Sequence, residues 1–194
     1  MPNVEPGGAP DLGRLPLRVE TARLVLEPWA PADRDDLLAA LAESVEHLKS
    51  WIPWATGQAP TIADVDVLIE RWASQRVTRE NLIYAARTKA DGTLAGGISL
   101  HARVGPRRLE VGYWIRAGAT GQGLASEGAG AATAIALALP DVDAVELHTD
   151  TLNAPSRRVA EKLGFTLVEI RKDDKMRNGR MGDTAVYVRA TVES

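Results

Sequence analysis

The chain has 194 residues, of which 45% are hydrophobic and 25% charged, with a formal net charge of -3. That balance suits one folded domain, excludes a fibrous or disordered chain, and argues against a general nucleic-acid binder, whose surface would be basic. Cysteine is absent and the histidines (His47, His101, His148) are scattered, which excludes disulfides and thiolate chemistry and leaves no spaced metal motif, so no metal is expected.

Residues 1–16 hold Pro2, Pro6, Gly7, Gly8, Pro10, Gly13 and Pro16 without periodicity. They are read as a flexible tail ahead of a single domain over 17–194. Arg23 to Glu27 alternates like a strand. Pro31 suits a helix first turn, and Leu37, Leu38, Leu41, Val45 and Leu48 recur at helical spacing until Pro53. Thr61 and Asp64 form a capping-box variant ahead of a helix through Val65, Leu68, Ile69 and Trp72. Strand-like runs at 82–87, 93–103 and 109–116, separated by Asp91-Gly92 and Gly105-Pro106, predict an antiparallel meander. A helical run opens at Leu124, a strand covers 144–149, and a helix follows Asn153 as N-cap and stops at Gly164. Two last strands, 165–170 and 184–191, flank a polar loop containing Lys172, Asp173, Asp174, Lys175, Arg177 and Arg180. The order predicts an α+β domain, one sheet with helices on its faces. The longest apolar run, Leu124 to Leu139, is broken by Ser126, Glu127 and Thr133. It falls short of the roughly 20 residues of a membrane span, and no secretory signal pattern opens the chain, so a cytoplasmic location without a membrane partner is expected.

The segment richest in chemistry is strand, glycine loop, helix: Val111 to Ile115, then Thr120-Gly121-Gln122-Gly123-Leu124-Ala125-Ser126. Such glycines let the backbone approach a ligand, and a helix N-terminus offers unpaired N–H groups to phosphate oxygens. A tight turn with glycines for geometry alone is the competing reading.

These residues resemble the GNAT superfamily of acyl-CoA-dependent N-acyltransferases, in particular its RimJ/RimL-type branch. The matching segments, in order, are Thr21 to Leu24, Trp51 to Trp54, Leu94 to Ile98, Glu110 to Ile115, Gly121 to Ala125 and Asn153 to Phe165. The resemblance implies a GNAT fold, a mostly antiparallel mixed sheet of about six to seven strands that splays between the fourth and fifth, with helices on both faces. It implies acetyl-CoA or another acyl-CoA as co-substrate, bound in the splay by Trp114, Ile115, Arg116, Gly121, Gln122, Gly123, Leu124, Ala125, Ser126, Asn153 and Ser156. Thr120 stands where the family has Gln or Arg, and Arg116 is the expected nearby charge. A homodimer is implied by resemblance alone.

In the implied reaction an amine attacks the thioester directly while an N–H of Trp114 or Ile115 polarises the carbonyl. An alkyl ammonium, with a pKa of about 10, must first lose a proton, and the departing thiolate gains from receiving one. Glu110 is the expected base, with His148 and Asp174 in reserve. Its alternative is a surface strand carboxylate paired with Arg103 or Arg108. The family's helix Tyr position is Ala160 here, and the resemblance implies Ser156 as the acid instead, because the RimL-like branch has Ser at the position matching Ser156; its alternative is a first-turn helix serine that satisfies backbone groups. Trp51, Trp54, Glu110 and His148 are expected on the acceptor side, Trp51 and Trp54 equally reading as core anchors. The acceptor class implied is a protein N-terminal amine, with a small-molecule amine or antibiotic, a succinyl-CoA-using enzyme and a catalytically inactive acyl-CoA sensor as alternatives.

Overall fold

The computed structural model describes residues 8–52, 58–175 and 181–191. Pro53, Trp54, Arg177 and Arg180 lie outside them. Among the described residues one eight-stranded sheet has the order β1-β2-β3-β4-β5-β6-β8-β7. Its strands are β1 (Val19–Glu20), β2 (Leu24–Pro28), β3 (Asn81–Thr88), β4 (Leu94–His101), β5 (Arg108–Ile115), β6 (Ala144–Asp150), β7 (Thr166–Lys175) and β8 (Met181–Ala190). All neighbours pair antiparallel except β5 and β6, which run parallel. The strand count exceeds the expected six to seven because β1 is too short to show a period, and its two residues form a strand only by pairing with Val25 and Leu26. The polar stretch 171–175, expected as loop, continues β7 because Arg171, Asp174 and Lys175 pair across to β8.

Helix α1 (Arg34–Leu48) follows a 3-10 turn begun by Pro31, and α2 (Ile62–Val77) starts at Thr61, whose side chain accepts from the Asp64 amide while Asp64 reaches back to the Thr61 amide. Both cover one face of the sheet, burying Leu37, Leu41, Val65, Ile69 and Trp72 against Ala85, Leu94 and Trp114. Helices α3 (Leu124–Leu137) and α4 (Ala154–Lys162) cover the other face, where Ala129, Ala132, Ala136 and Ala160 meet Ile98, Leu100, Val111 and Val145. The small residues of α3 let it sit close, since a methyl group on Gly128 would stand 2.7 Å from Ile98 Cδ1. Among the described residues no helix is long and apolar enough to cross a membrane.

Order begins earlier than the expected Leu17. Leu12 and Leu15, in and just after a 3-10 turn, are each only 4% exposed and join the core beneath α3. Asp11 caps that turn and accepts from Arg79 at 2.9 Å, so a proline- and glycine-rich composition here accompanies a docked segment.

Candidate active site

The site grows from the one parallel pair in the sheet. β5 and β6 are in register only at Arg108/Ala144, Leu109/Val145 and Glu110/Glu146; beyond these the strands part. Successive strand amides point to opposite edges. Arg116 N–H donates to Ala95 O on β4 at 2.9 Å, so the Trp114 amide belongs to the β4 side, while those of Tyr113 and Ile115 face the gap. Of the two expected carbonyl donors, Ile115 therefore has the suitable direction. Trp114 instead lends its indole, which lies over β4 because Gly97 has no side chain: a methyl group there would stand 2.5 Å from Trp114 Nε1. Trp114 stacks on Trp29 with centroids 6.5 Å apart, and Trp29 meets Trp72 at 5.2 Å. A cleft of about 1300 Å³ runs across the fork, lined by β4, β5 and β6 residues, the glycine loop, the start of α4 and, at the other end, Trp51 and α2.

At the loop, Gly121 and Gly123 adopt φ of +74° and +78°, a conformation that favours glycine, and so turn the chain into α3. Gly123, Leu124, Ala125 and Ser126 line the cleft, where the first amides of a helix lack intrahelical partners. Glu127 in the same turn accepts from Thr21 Oγ1 at 2.5 Å, the Arg23 amide at 2.6 Å and Arg23 Nε at 2.6 Å. Arg23 also donates to the Gln122 carbonyl at 2.9 Å. Burial pushes the Glu127 pKa up, but these hydrogen bonds outweigh it and hold the carboxyl below its ordinary value. The Thr21-Ala22-Arg23 segment thus clamps the loop from behind, a role that a contact spanning about a hundred residues hides from sequence reasoning. The Gln122 side chain donates to Gly118 O at 3.3 Å, and Thr120 Oγ1 to Ala117 O at 2.9 Å. Arg116, the expected charge beside the loop, is instead drawn to Glu43 of α1, with a weaker bond to Leu94 O, so the cation next to the loop is Arg23.

Glu110 is 4% exposed, not a surface carboxylate, and Arg103 grips it with two hydrogen bonds of 3.1 Å. Burial raises its pKa above the ordinary carboxylate value, and Arg103 and His148 offset part of that rise. Its register partner Glu146 is 5% exposed, accepts from Arg108 at 2.8 Å and bonds His148 Nε2 at 2.6 Å. Burial pushes Glu146 up as well, but Arg108 and His148 prevail and its pKa falls. His148 Nδ1 lies 4.0 Å from Glu110 Oε2, so the histidine bridges two opposed carboxylates. Glu110, His148 and, farther along the hairpin, Asp174 all line the cleft.

Across the gap, Asn153 caps α4 by accepting from the Ser156 amide at 3.1 Å. Ser156 Oγ lies 2.8 Å from Tyr113 Oη. Burial pushes the Tyr113 pKa up to about 12 against a smaller opposing effect of Ser156, so both members of this pair carry a hydroxyl proton and either can donate to the other. Tyr113 is thus a functional candidate beyond the residues expected from the sequence. The structure brings Glu110, His148, Ser156, Asn153, Trp114, Ile115, the loop residues 123–126 and Trp51 to one cleft. It leaves Arg116 and the Gln122 side chain bonded elsewhere, and Trp54 is outside the described residues.

Two further polar residues of β4 reach the cleft, Ser99 and His101. His101 Nδ1 lies 2.5 Å from Asn81 Oδ1, and burial, with the Arg103 charge, pushes its pKa down to about 3.

A family model described as an acetyltransferase (GNAT) domain matches residues 23–166. No curated protein matches the chain. Among solved structures, the microcin C7 self-immunity acetyltransferase MccE in complex with acetyl-CoA and AMP aligns with a TM-score of 0.83 at 18% identity, over 93% of this chain and 100% of that one. The ribosomal L7/L12 alpha-N-protein acetyltransferase RimL in complex with coenzyme A gives 0.79 at 19% identity, over 91% and 97%. RimJ of Mycobacterium smegmatis, with a CoA-disulfide, gives 0.80 at 17% identity, over 92% and 88%. At these identities the likeness establishes a shared fold.

Proposed function

The chain belongs to the GNAT acetyltransferase family and is an acetyl-CoA-dependent acetyltransferase, and on that premise we propose that it acetylates the α-amine of a protein N-terminus, with Glu110 as base and Ser156 as acid. The observation that carries the assignment is a buried carboxylate of raised pKa at the fork where β5 and β6 part. The glycine loop and the α3 amides receive the diphosphate. The Ile115 amide, facing the gap, polarises the thioester carbonyl and stabilises the oxyanion as the amine nitrogen bonds to carbon. Glu110 takes a proton from the incoming ammonium. When the carbon–sulfur bond breaks, Ser156 Oγ gives its proton to the sulfur and regains one through Tyr113, 2.8 Å away, as the nitrogen releases its second proton to water in the cleft and becomes the amide. Each assisted proton transfer is worth about 10²–10⁴-fold in rate.

The α-amine acceptor is supported by likeness to RimL and RimJ. A second reading, a small-molecule amine with an aromatic or anionic part, is favoured by Trp51, Arg71 and Arg103 in the cleft and by the AMP in the MccE complex. A cytoplasmic location, a homodimer and the absence of a nucleic-acid partner belong to the same proposal; a monomer mass by sedimentation removes the dimer. The deciding experiment is a thiol-release screen of acetyl-CoA and succinyl-CoA against N-terminal peptides and amine antibiotics. Release with peptides alone supports the first reading, release with small amines alone replaces it with the second, and coenzyme A binding without release from any amine marks a sensor.

A further inference from the structure

Ser99 and His101 are used neither by the core nor by the reaction as written above. They stand on β4 directly opposite Gly112 and Glu110 of β5, and each is 9% exposed. Their polar atoms converge on one spot: a methyl group on Gly112 would stand 2.7 Å from Ser99 Oγ and 3.4 Å from His101 Nε2. The absence of a side chain on Gly112 thus lets these atoms lean over β5 and edge a notch in the cleft floor, with Glu110 two residues back on the same strand face. Among the described residues neither Ser99 Oγ nor His101 Nε2 has a hydrogen-bond partner, whereas His101 Nδ1 is held by Asn81 Oδ1. An amide oxygen only accepts, so the ring proton sits on Nδ1 and Nε2 presents a lone pair. Both residues line the cleft, so each atom is placed to accept from a donor that enters it.

We propose that Ser99 Oγ, His101 Nε2 and the Glu110 carboxylate form a three-acceptor seat for an unsubstituted ammonium group, so that the enzyme takes primary amines whose nitrogen enters the Gly112 notch. The inference rests on the acetyltransferase reading above and names what that reading leaves open, the groups that hold the acceptor nitrogen. An ammonium offers three N–H donors to three acceptors. Burial keeps His101 neutral, so it attracts the cation instead of repelling it. Asn81 is a positioning residue that fixes the tautomer. A secondary amine loses one donor and turns a methyl group toward acceptors that need an N–H.

The test uses two acceptors, the tetrapeptide amide Ser-Ala-Ala-Ala with a free α-amine and its Nα-methyl analogue. Thiol release and coenzyme A affinity are measured for the wild type and for Ser99→Ala, His101→Phe, Gly112→Ala and Asn81→Asp. On the wild type, methylation should lower kcat/KM at least about tenfold. Ser99→Ala, His101→Phe and Gly112→Ala should each raise the peptide KM by about tenfold, the cost of a hydrogen bond to a charged group, with coenzyme A affinity within about twofold. Asn81→Asp, which still accepts from Nδ1, should retain the wild-type peptide KM. The methylated peptide needs no variant, so a misfolded Gly112→Ala leaves the test intact. Equal rates on both peptides, or a wild-type peptide KM in Ser99→Ala, His101→Phe and Gly112→Ala, overturn the seat and leave the acetyltransferase reading standing. No thiol release from the free peptide by the wild type overturns the N-terminal-amine reading and the seat with it.

Discussion

The β5–β6 pair is two different structures along its length. At the closed end, Glu110 and Glu146 face each other in register, a juxtaposition of like charges that destabilises a sheet unless each has its own partner. Arg103 and Arg108 supply those partners, and His148 sits between. At the open end the edge amides of β5 pair with no strand among the described residues, and Tyr113 reaches instead to Ser156 on α4. The closed end stores charge, and the open end offers direction: a row of amides and one hydroxyl relay. Two carboxylates that face each other also diverge. The Glu110 pKa is raised while that of Glu146 is lowered, and such a pair, pushed apart by its surroundings, marks the titrating member as the one that moves protons.

The contrast is broken most severely by Glu110→Gln, expected to lower turnover by about 10²–10⁴-fold. Because the Glu110 pKa is raised, its base form appears only as pH climbs through a window above the ordinary carboxylate range. Wild-type kcat/KM should rise through that window and the variant should stay flat; an identical rise in both would move the base elsewhere. At the open end, Ser156→Ala should cut turnover by about tenfold or more, and Tyr113→Phe should follow it in the same direction because each removes one member of a hydrogen-bonded pair. Calorimetry should find donor affinity nearly intact in both, and full-rate turnover would remove the acid relay. Behind the loop, Glu127→Gln should weaken coenzyme A binding by about fivefold, a modest figure because Arg23 is half exposed and solvent screens the pair. The smallest effect belongs to Glu146→Gln, which should leave the pH rise in place. A pH profile flattened by this variant as much as by Glu110→Gln would dissolve the difference between the carboxylates.

Local patterns made much of this fold legible. Alternation over 109–115, the Asp91-Gly92 turn and the Asn153 cap placed the meander and α4 close to where they stand. Glycines with room for a left-handed turn marked the loop at Gly121 and Gly123. What escaped depends on distant partners. The two-residue β1 exists only through β2. Leu12 and Leu15 look like punctuation in a proline-rich stretch, yet they fill space under α3. Local alternation could not tell a solvated carboxylate from a buried one at Glu110, because the cleft walls come from α1, α2 and the far hairpin. Arg23 stands beside the loop where Arg116 was expected for the same reason: Glu127 and Glu43, which bind them, lie on helices whose docking no local pattern describes.

The tryptophans give the cleft an optical property. Trp114 borders the space that the donor and acceptor enter, and its indole is stacked on Trp29, which in turn touches Trp72. A molecule seated there displaces water from an indole coupled to two others, so occupancy is reported by the chain's own fluorescence, and titrations can follow emission without any attached dye.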